Sequence, residues 1–242
     1  MFVNSIRTWA GLLLTAVLLV GGCAPDADLR SDEPRSDEPP LVRSEDGEGS
    51  TRPVLLFFGT SLTEGYGLTD PGREAWPARV EALADSAQVG PIRIVNAGLS
   101  GETTAGGVRR IDWVLRADPA VVVIELGAND GLRGVPVEDI EANLDLILER
   151  IATTTPDARI ALVAMEAPPN MGSEYVQSFR DLFPRVAERW NATLLPFLLE
   201  GVAGEPELNQ SDGIHPTAQG HRLMARTVWE ELEPMLRGAP GG

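Results

Sequence analysis

The chain contains only two histidines, His215 and His221, so any chemistry that needs an imidazole must use one of them. His215 stands in Asp212-Gly213-Ile214-His215-Pro216, three residues after an acid. In a short turn that acid reaches the imidazole without long-range packing, fixes its tautomer and stabilises the imidazolium. Far upstream, an apolar run at 54–59 ends in Gly59-Thr60-Ser61-Leu62-Thr63. A serine just past a strand-end glycine can present its hydroxyl on a tight turn, and an imidazole that takes its proton makes it a nucleophile. Two further segments carry donors: Asn96-Ala97-Gly98-Leu99-Ser100-Gly101 and Glu125-Leu126-Gly127-Ala128-Asn129-Asp130-Gly131. A tetrahedral intermediate needs N–H groups aimed at its oxyanion. Ser61 N–H, Gly98 N–H and the Asn129 amide supply them if all three strands end at one rim. Each segment alone reads as ordinary structure; Asn129-Asp130-Gly131, for instance, is a good turn signal. Together they provide nucleophile, base, orienting acid and oxyanion donors, the parts of an acyl-transfer site.

The elements that must position these groups alternate along the chain. Apolar runs at 54–59, 92–98, 120–127, 159–165 and 193–198 are continuous rather than alternating. That pattern marks strands buried on both faces, as in a parallel sheet. Helical stretches are expected at about 74–87, 103–117, 137–153, 174–191 and 217–237, with Pro136 and Pro216 in first-turn positions. Repeated strand–helix alternation predicts one doubly wound α/β domain. In such sheets, ligands bind beyond the carboxyl ends of the strands.

Composition removes other chemistries. Formal net charge is −16, with 36 acids, and all 20 basic residues are Arg. Nucleic-acid binding needs clustered positive charge, which this balance opposes. Without Lys there is no Schiff-base lysine, Ser-Lys dyad or P-loop lysine. A single Cys, Cys23, allows neither an intrachain disulfide nor a Cys-rich metal centre. Ser100 lies in Gly-Leu-Ser-Gly, which is not the G-x-S-x-G elbow. His221, six residues from His215 on an expected helix, faces away from it and makes no metal pair. No first-strand turn carries G-x-G-x-x-G, so a dinucleotide site is not expected.

The first fifty residues read as address and tether. Arg7 precedes an uncharged apolar-rich run from Trp9 to Val20, too short to span a bilayer, and then Gly21-Gly22-Cys23. Val20-Gly21-Gly22-Cys23 resembles a bacterial lipobox, which implies a signal peptide over 1–22 and lipidation of Cys23. Residues 24–50 hold nine acids and three Arg, with RSDEP repeated at 30–34 and 35–39. Such composition cannot bury enough apolar surface to offset the entropy of ordering, so 23–50 is expected to be an anchored, disordered acidic spacer. The remaining domain, 51–242, has 27 acids and 16 Arg, a net −11.

GTSLTEGYG, NAGLSGETT, ELGANDGLRG and DGIHP, in this order and spacing, resemble the blocks of the SGNH (GDSL-type) serine hydrolases. The bacterial thioesterase I, lysophospholipase and arylesterase group is the most similar, and the resemblance covers nearly all of 53–236. It implies a single flavodoxin-like three-layer α/β domain with a five-stranded parallel sheet between helices, and no metal or cofactor. It implies Ser61 as nucleophile, His215 as base, Asp212 as its partner, and Ser61, Gly98 and Asn129 as oxyanion donors. The loop Asn170-Met171-Gly172 is expected beside the acyl pocket. The expected substrates are small-molecule carboxylic esters or thioesters: aryl esters, acyl thioesters and lysophospholipids. No nucleic acid or obligate protein partner is implied. Two alternatives remain at this point: a carbohydrate O-deacetylase of the same superfamily, and a lipid-anchored binding protein with a decayed site. Leu132, Val135, Met171, Leu198 and Leu199 near the rim favour acyl or aryl groups over sugars. The expected location is the cell envelope, at the outer membrane facing the periplasm or at the cell surface. One position departs from the family pattern: Thr60 stands where Asp usually precedes the serine, which puts the rigidity of that turn in question.

Overall fold

Five parallel strands form one sheet in the order β2-β1-β3-β4-β5: β1 Val54–Gly59, β2 Arg93–Gly98, β3 Val121–Glu125, β4 Arg159–Val163 and β5 Thr193–Leu195. The structure is a computed structural model and describes residues 52–237; the expected signal peptide, Cys23 and the acidic spacer lie outside them. Every residue of β1 and of β3 is buried; their apolar runs fit this, and Glu125 at the end of β3 is the charged exception. Strand register then aligns the carboxyl ends: Gly59 pairs with Gly98 of β2 and with Glu125 of β3. The three segments carrying serine and donors thus leave the sheet side by side.

Helices cover both faces. They are α1 Ser61–Glu64, α2 Pro71–Glu74, α3 Trp76–Ser86, α4 Thr104–Val114, α5 Ala128–Arg133, α6 Val137–Thr154, α7 Ser173–Arg189 and α8 Ala218–Arg237. One layer is built by α3 against α8, the other by α4, α6 and α7. In α6, Ile140, Leu144, Ile147, Leu148 and Ile151 recur at helical spacing and are fully buried. Full burial of one such aliphatic side chain contributes about 1.5–3 kcal/mol. The expected α/β domain with a five-stranded parallel sheet between helices is the fold observed.

Two differences from the expected elements bear on the site. The last strand stops at Leu195, not 198, because Pro196 has no N–H to give a ladder. Phe197 and Leu199 are thereby released to a loop. The short helices α1 and α5 stand where the sequence reads as turns, since four to six residues are too few for a periodic signal. Gly127, at φ 109°, starts α5 where the sequence reads as a turn.

His221 also takes a structural place. It is buried on α8, and its Nδ1 accepts from Trp76 N–H at 3.2 Å. Ala75, the residue before α3, offers no side-chain cap, so His221 satisfies an orphan donor of that helix. Burial, reinforced by the electrostatic influence of nearby His215 and Arg79, pushes its pKa down to about 4. An unfolded chain therefore takes a proton that the native state refuses, and stability is lost as pH falls from the free value of 6.5 toward 4. Comparing urea unfolding of wild type and His221→Gln at each pH cancels the other titrations. The wild type should lose on the order of 3 kcal/mol relative to the variant across that window. A pH-independent difference would contradict the neutral buried imidazole.

Candidate active site

Ser61 is the first residue of α1, directly beyond β1. Its backbone N–H is an orphan donor of the first turn, with no acceptor among the described residues. Thr60 caps this short helix, its side chain accepting from Leu62 N at 3.4 Å. Thr60 is held in turn by Glu125: its N–H donates to Oε2 at 2.9 Å and its hydroxyl contacts both carboxylate oxygens at 3.0 Å. The turn keeps two anchors despite lacking the family's aspartate. Burial pushes the Glu125 carboxyl up to about 7, although hydrogen bonds from Thr60 and Thr63 pull it down.

His215 arrives from the other end of the chain. Ser61 Oγ lies 3.0 Å from His215 Nε2, and His215 Nδ1 lies 2.7 Å from Asp212 Oδ2. Asp212 Oδ1 also accepts the backbone N–H groups of Ile214 and His215, each at 3.0 Å. The His215 ring and these two N–H groups hold the Asp212 carboxyl down at about 2. A carboxylate ionised at any ordinary pH keeps the proton on Nδ1, which leaves the Nε2 lone pair to receive the serine proton.

The turn is tied from outside by residues that motif reading did not single out. Gln210 N–H donates to the His215 carbonyl at 2.7 Å. Its side-chain amide donates to the Tyr66 carbonyl at 2.7 Å and to the Pro216 carbonyl at 3.0 Å. Tyr66 lays its ring beside the imidazole, with centroids 4.6 Å apart. A glutamine in a loop gives no sequence signal for this role. Tyr66 lies within the quoted GTSLTEGYG block, and that was the only hint.

Asn129 lies on α5 with one amide hydrogen given to the Glu102 carbonyl at 2.9 Å, leaving its second hydrogen for the cleft. Gly98 is a correction. Its N–H donates to Asn96 Oδ1 at 2.9 Å, and a side chain there would strike the backbone of Glu64. Gly98 therefore serves the close packing of β2 against α1, and it does not line the cleft. Gly101, three residues on, does line it together with Ser61 and Asn129. Gly101 has φ 77°, and Arg133 Nη1 holds its carbonyl at 3.2 Å. No hydrogen bond among the described residues uses the Gly101 N–H. Which of two nearby glycines has a free N–H depends on a side-chain contact that spacing cannot show.

A cleft of about 480 Å³ opens over Ser61 and His215. Its apolar walls come from Leu132, Met165, Pro168, Phe197, Leu199 and Ile214. Asn170, Met171 and Gly172 are a second correction: the wall is built by 165–169, and Met171 packs toward Gly134 instead. Of the apolar residues expected near the rim, Leu132 and Leu199 line the cleft, whereas Leu198 is buried in the core. Asp130 points away from the cleft, accepting from Thr104 N and Oγ1 at the start of α4. Among the described residues, no group of three or more His, Cys, Asp or Glu is arranged to hold a metal ion.

Comparison with known proteins agrees with this geometry. The pattern of the GDSL-like lipase/acylhydrolase family matches residues 57–223. The chain is 37% identical over 185 residues to "Esterase TesA" of Pseudomonas aeruginosa, covering 76% of this chain and 89% of that protein. It is 37% identical over 180 residues to "Arylesterase" of Vibrio mimicus, covering 74% and 87%. Among solved structures, esterase EstA from Pseudoalteromonas sp., inhibited by monoethylphosphonate, superposes with a TM-score of 0.70 at 34% identity, covering 76% of this chain and 99% of that one.

Because Gln210 ties the His215 turn to the Tyr66 loop, Gln210→Leu should let the imidazole drift. We expect kcat on a small ester to fall about tenfold, with Tm changed by no more than a few degrees, since sub-ångström misplacement costs rate more than stability. Unchanged kcat would show that Asp212 alone orients the ring.

Proposed function

The chain belongs to the GDSL-like lipase/acylhydrolase family and is a serine ester hydrolase, and from that premise we propose that it cleaves esters or thioesters of apolar acyl or aryl groups through an acyl-enzyme on Ser61. The observation that carries this reading is the unbroken line Ser61 Oγ–His215 Nε2–Nδ1–Asp212 at the floor of an apolar cleft.

In the proposed mechanism His215 Nε2 takes the Ser61 proton as Oγ attacks the substrate carbonyl carbon. The oxyanion that forms is met by Ser61 N–H, Gly101 N–H and the free Asn129 amide hydrogen. Imidazolium then protonates the leaving oxygen or sulfur, which departs as alcohol or thiol. Water repeats the sequence on the acyl-enzyme and releases the carboxylic acid. Because the base must be neutral to begin, kcat/KM should fall in acid. The intact line of hydrogen bonds argues against a decayed site, and the apolar cleft favours acyl or aryl esters over acetylated sugars.

Ser61→Ala should lower turnover by about 10⁴ or more, the scale of triad loss. Asn129→Ala should lower kcat about 10²–10³-fold with little change in KM, because its bond to the oxyanion strengthens in the transition state. A p-nitrophenyl ester and acyl-thioester panel of increasing chain length, run against an acetylated sugar, tests the substrate class. Faster turnover of the sugar would reverse it.

The proposed location is the cell envelope, with lipid on Cys23 and the acidic spacer 24–50 as tether. Support for this comes from the Val20-Gly21-Gly22-Cys23 sequence. Cys23→Ala should move the protein from the membrane to the soluble fraction with kcat/KM unchanged. Persistent membrane association after signal cleavage would count against acylation.

A further inference from the structure

One buried acid has no task in the mechanism above. Glu125 ends β3 with no solvent exposure. Its environment comprises burial and hydrogen bonds from Thr60 and Thr63, and no charged side chain among the described residues offsets it. A carboxyl in such a place is costly to the fold, because burial strips hydration that its hydrogen bonds replace only in part. Its presence calls for a reason other than stability.

The hydrogen bonds supply one. Its donors come from two residues, Thr60 and Thr63, on either side of the nucleophile. Oε2 accepts Thr60 N–H at 2.9 Å and the Thr63 hydroxyl at 2.7 Å, and the Thr60 hydroxyl contacts both oxygens at 3.0 Å. Thr60 and Thr63 flank Ser61 on either side, and both are buried. The space is reserved as well. A side chain at Gly59 would collide with both the Thr63 hydroxyl and the Glu125 carboxylate. Gly59, Thr60, Thr63 and Glu125 therefore form one clamp, built from two strands paired at Gly59 and Glu125.

We propose that Glu125 is a positioning residue for the nucleophile, collecting the Thr60 N–H and the Thr60 and Thr63 hydroxyls to fix the turn that carries the Ser61 hydroxyl and N–H. Thr60 is suited to this partnership. A second carboxyl in its place would have to share a proton with Glu125, whereas a hydroxyl donates to it directly. The inference rests on the reading of Ser61 as nucleophile. Both reacting features of Ser61, the hydroxyl aimed at His215 and the N–H at the rim, move with this turn, so loosening it should reduce kcat and leave KM.

The test uses the full chain, with kcat, KM and Tm measured on p-nitrophenyl butyrate. Glu125→Leu removes the acceptor and the buried charge together. Its kcat should fall about 10–100-fold with KM within about twofold; Tm should fall as well, because the Thr60 N–H and the Thr60 and Thr63 hydroxyls lose their acceptor. Glu125→Gln should keep kcat within about threefold, because its oxygen can accept Thr60 N–H and the Thr63 hydroxyl while its amide faces Thr60 Oγ1. Wild-type kcat in Glu125→Leu overturns the proposal, as does an equal loss in Glu125→Gln, or a loss that lies in KM rather than kcat. If Glu125→Leu does not fold, Thr63→Val decides: a several-fold loss of kcat at constant KM supports the clamp, and unchanged kcat overturns it. Ser61→Ala in the same assay keeps the two readings apart, since turnover surviving that change would refute the nucleophile assignment whatever Glu125 does.

Discussion

A 3.0 Å hydrogen bond joins Ser61 and His215 across 154 residues of chain. It lasts only if both ends are fixed to better than the tolerance of a hydrogen bond, and the rest of the molecule meets that constraint by two routes. Ser61 is fixed by the sheet. β1 is buried on both faces and leads straight into α1, so the serine inherits the rigidity of the core. His215 has no strand behind it. It sits in a loop, and its position comes from hydrogen bonds: Asp212 from within the turn, Gln210 from before it, and the Asn209–Pro216 bridge closing its base. Asn209 itself is buried and donates to the carbonyls of Val202 and Glu205.

Polar groups in the interior follow the same logic at the other rim segments. Asp130 accepts two bonds from Thr104, which joins α5 to the start of α4. Arg110 reaches the Glu102 carboxylate at 2.6 Å and the Ala97 carbonyl at 2.9 Å, with its guanidinium over the Phe58 ring. Glu102 in turn offers its carbonyl to Asn129. The Asn129 amide at the rim is thus attached to a buried hydrogen-bonded network in which Arg110 uses Nε and Nη2.

The parts of this arrangement that were legible in the sequence are those fixed by local chemistry. Asp212 and His215 are three residues apart, and the turn between them can form in few ways. Ser61 follows a strand whose six buried residues are contiguous in the chain. The sheet itself follows from uninterrupted apolar runs. Gly98 was misread because its N–H is consumed by Asn96, a contact within the strand end that only coordinates reveal. Gly101 was missed because its value lies in a φ of 77° and a carbonyl held by Arg133, far along the chain. The cleft wall shifted from 170–172 to 165–169 for a similar reason, since the exit path of a chain leaving β4 is set by packing and not by motif.

Two carboxylates serve one site from opposite surroundings, which shows how a single fold can assign different duties to chemically equal groups. Asp212 is partly open to water and receives three hydrogen bonds, so its carboxyl is held at about 2 and its charge is constant. A constant charge is what an orienting partner needs, since the tautomer of His215 must not vary with pH. Glu125 lies in the dry floor beneath the turn, where burial lifts it to about 7. Such a group serves better through geometry than through charge. Thr60 and Thr63 can donate to it when ionised, and a hydroxyl can rotate to accept when it is protonated. A threonine before Ser61 is in this sense a better partner for a buried glutamate than a second acid would be, because hydroxyls adapt to either protonation state and two adjacent carboxylates cannot both ionise.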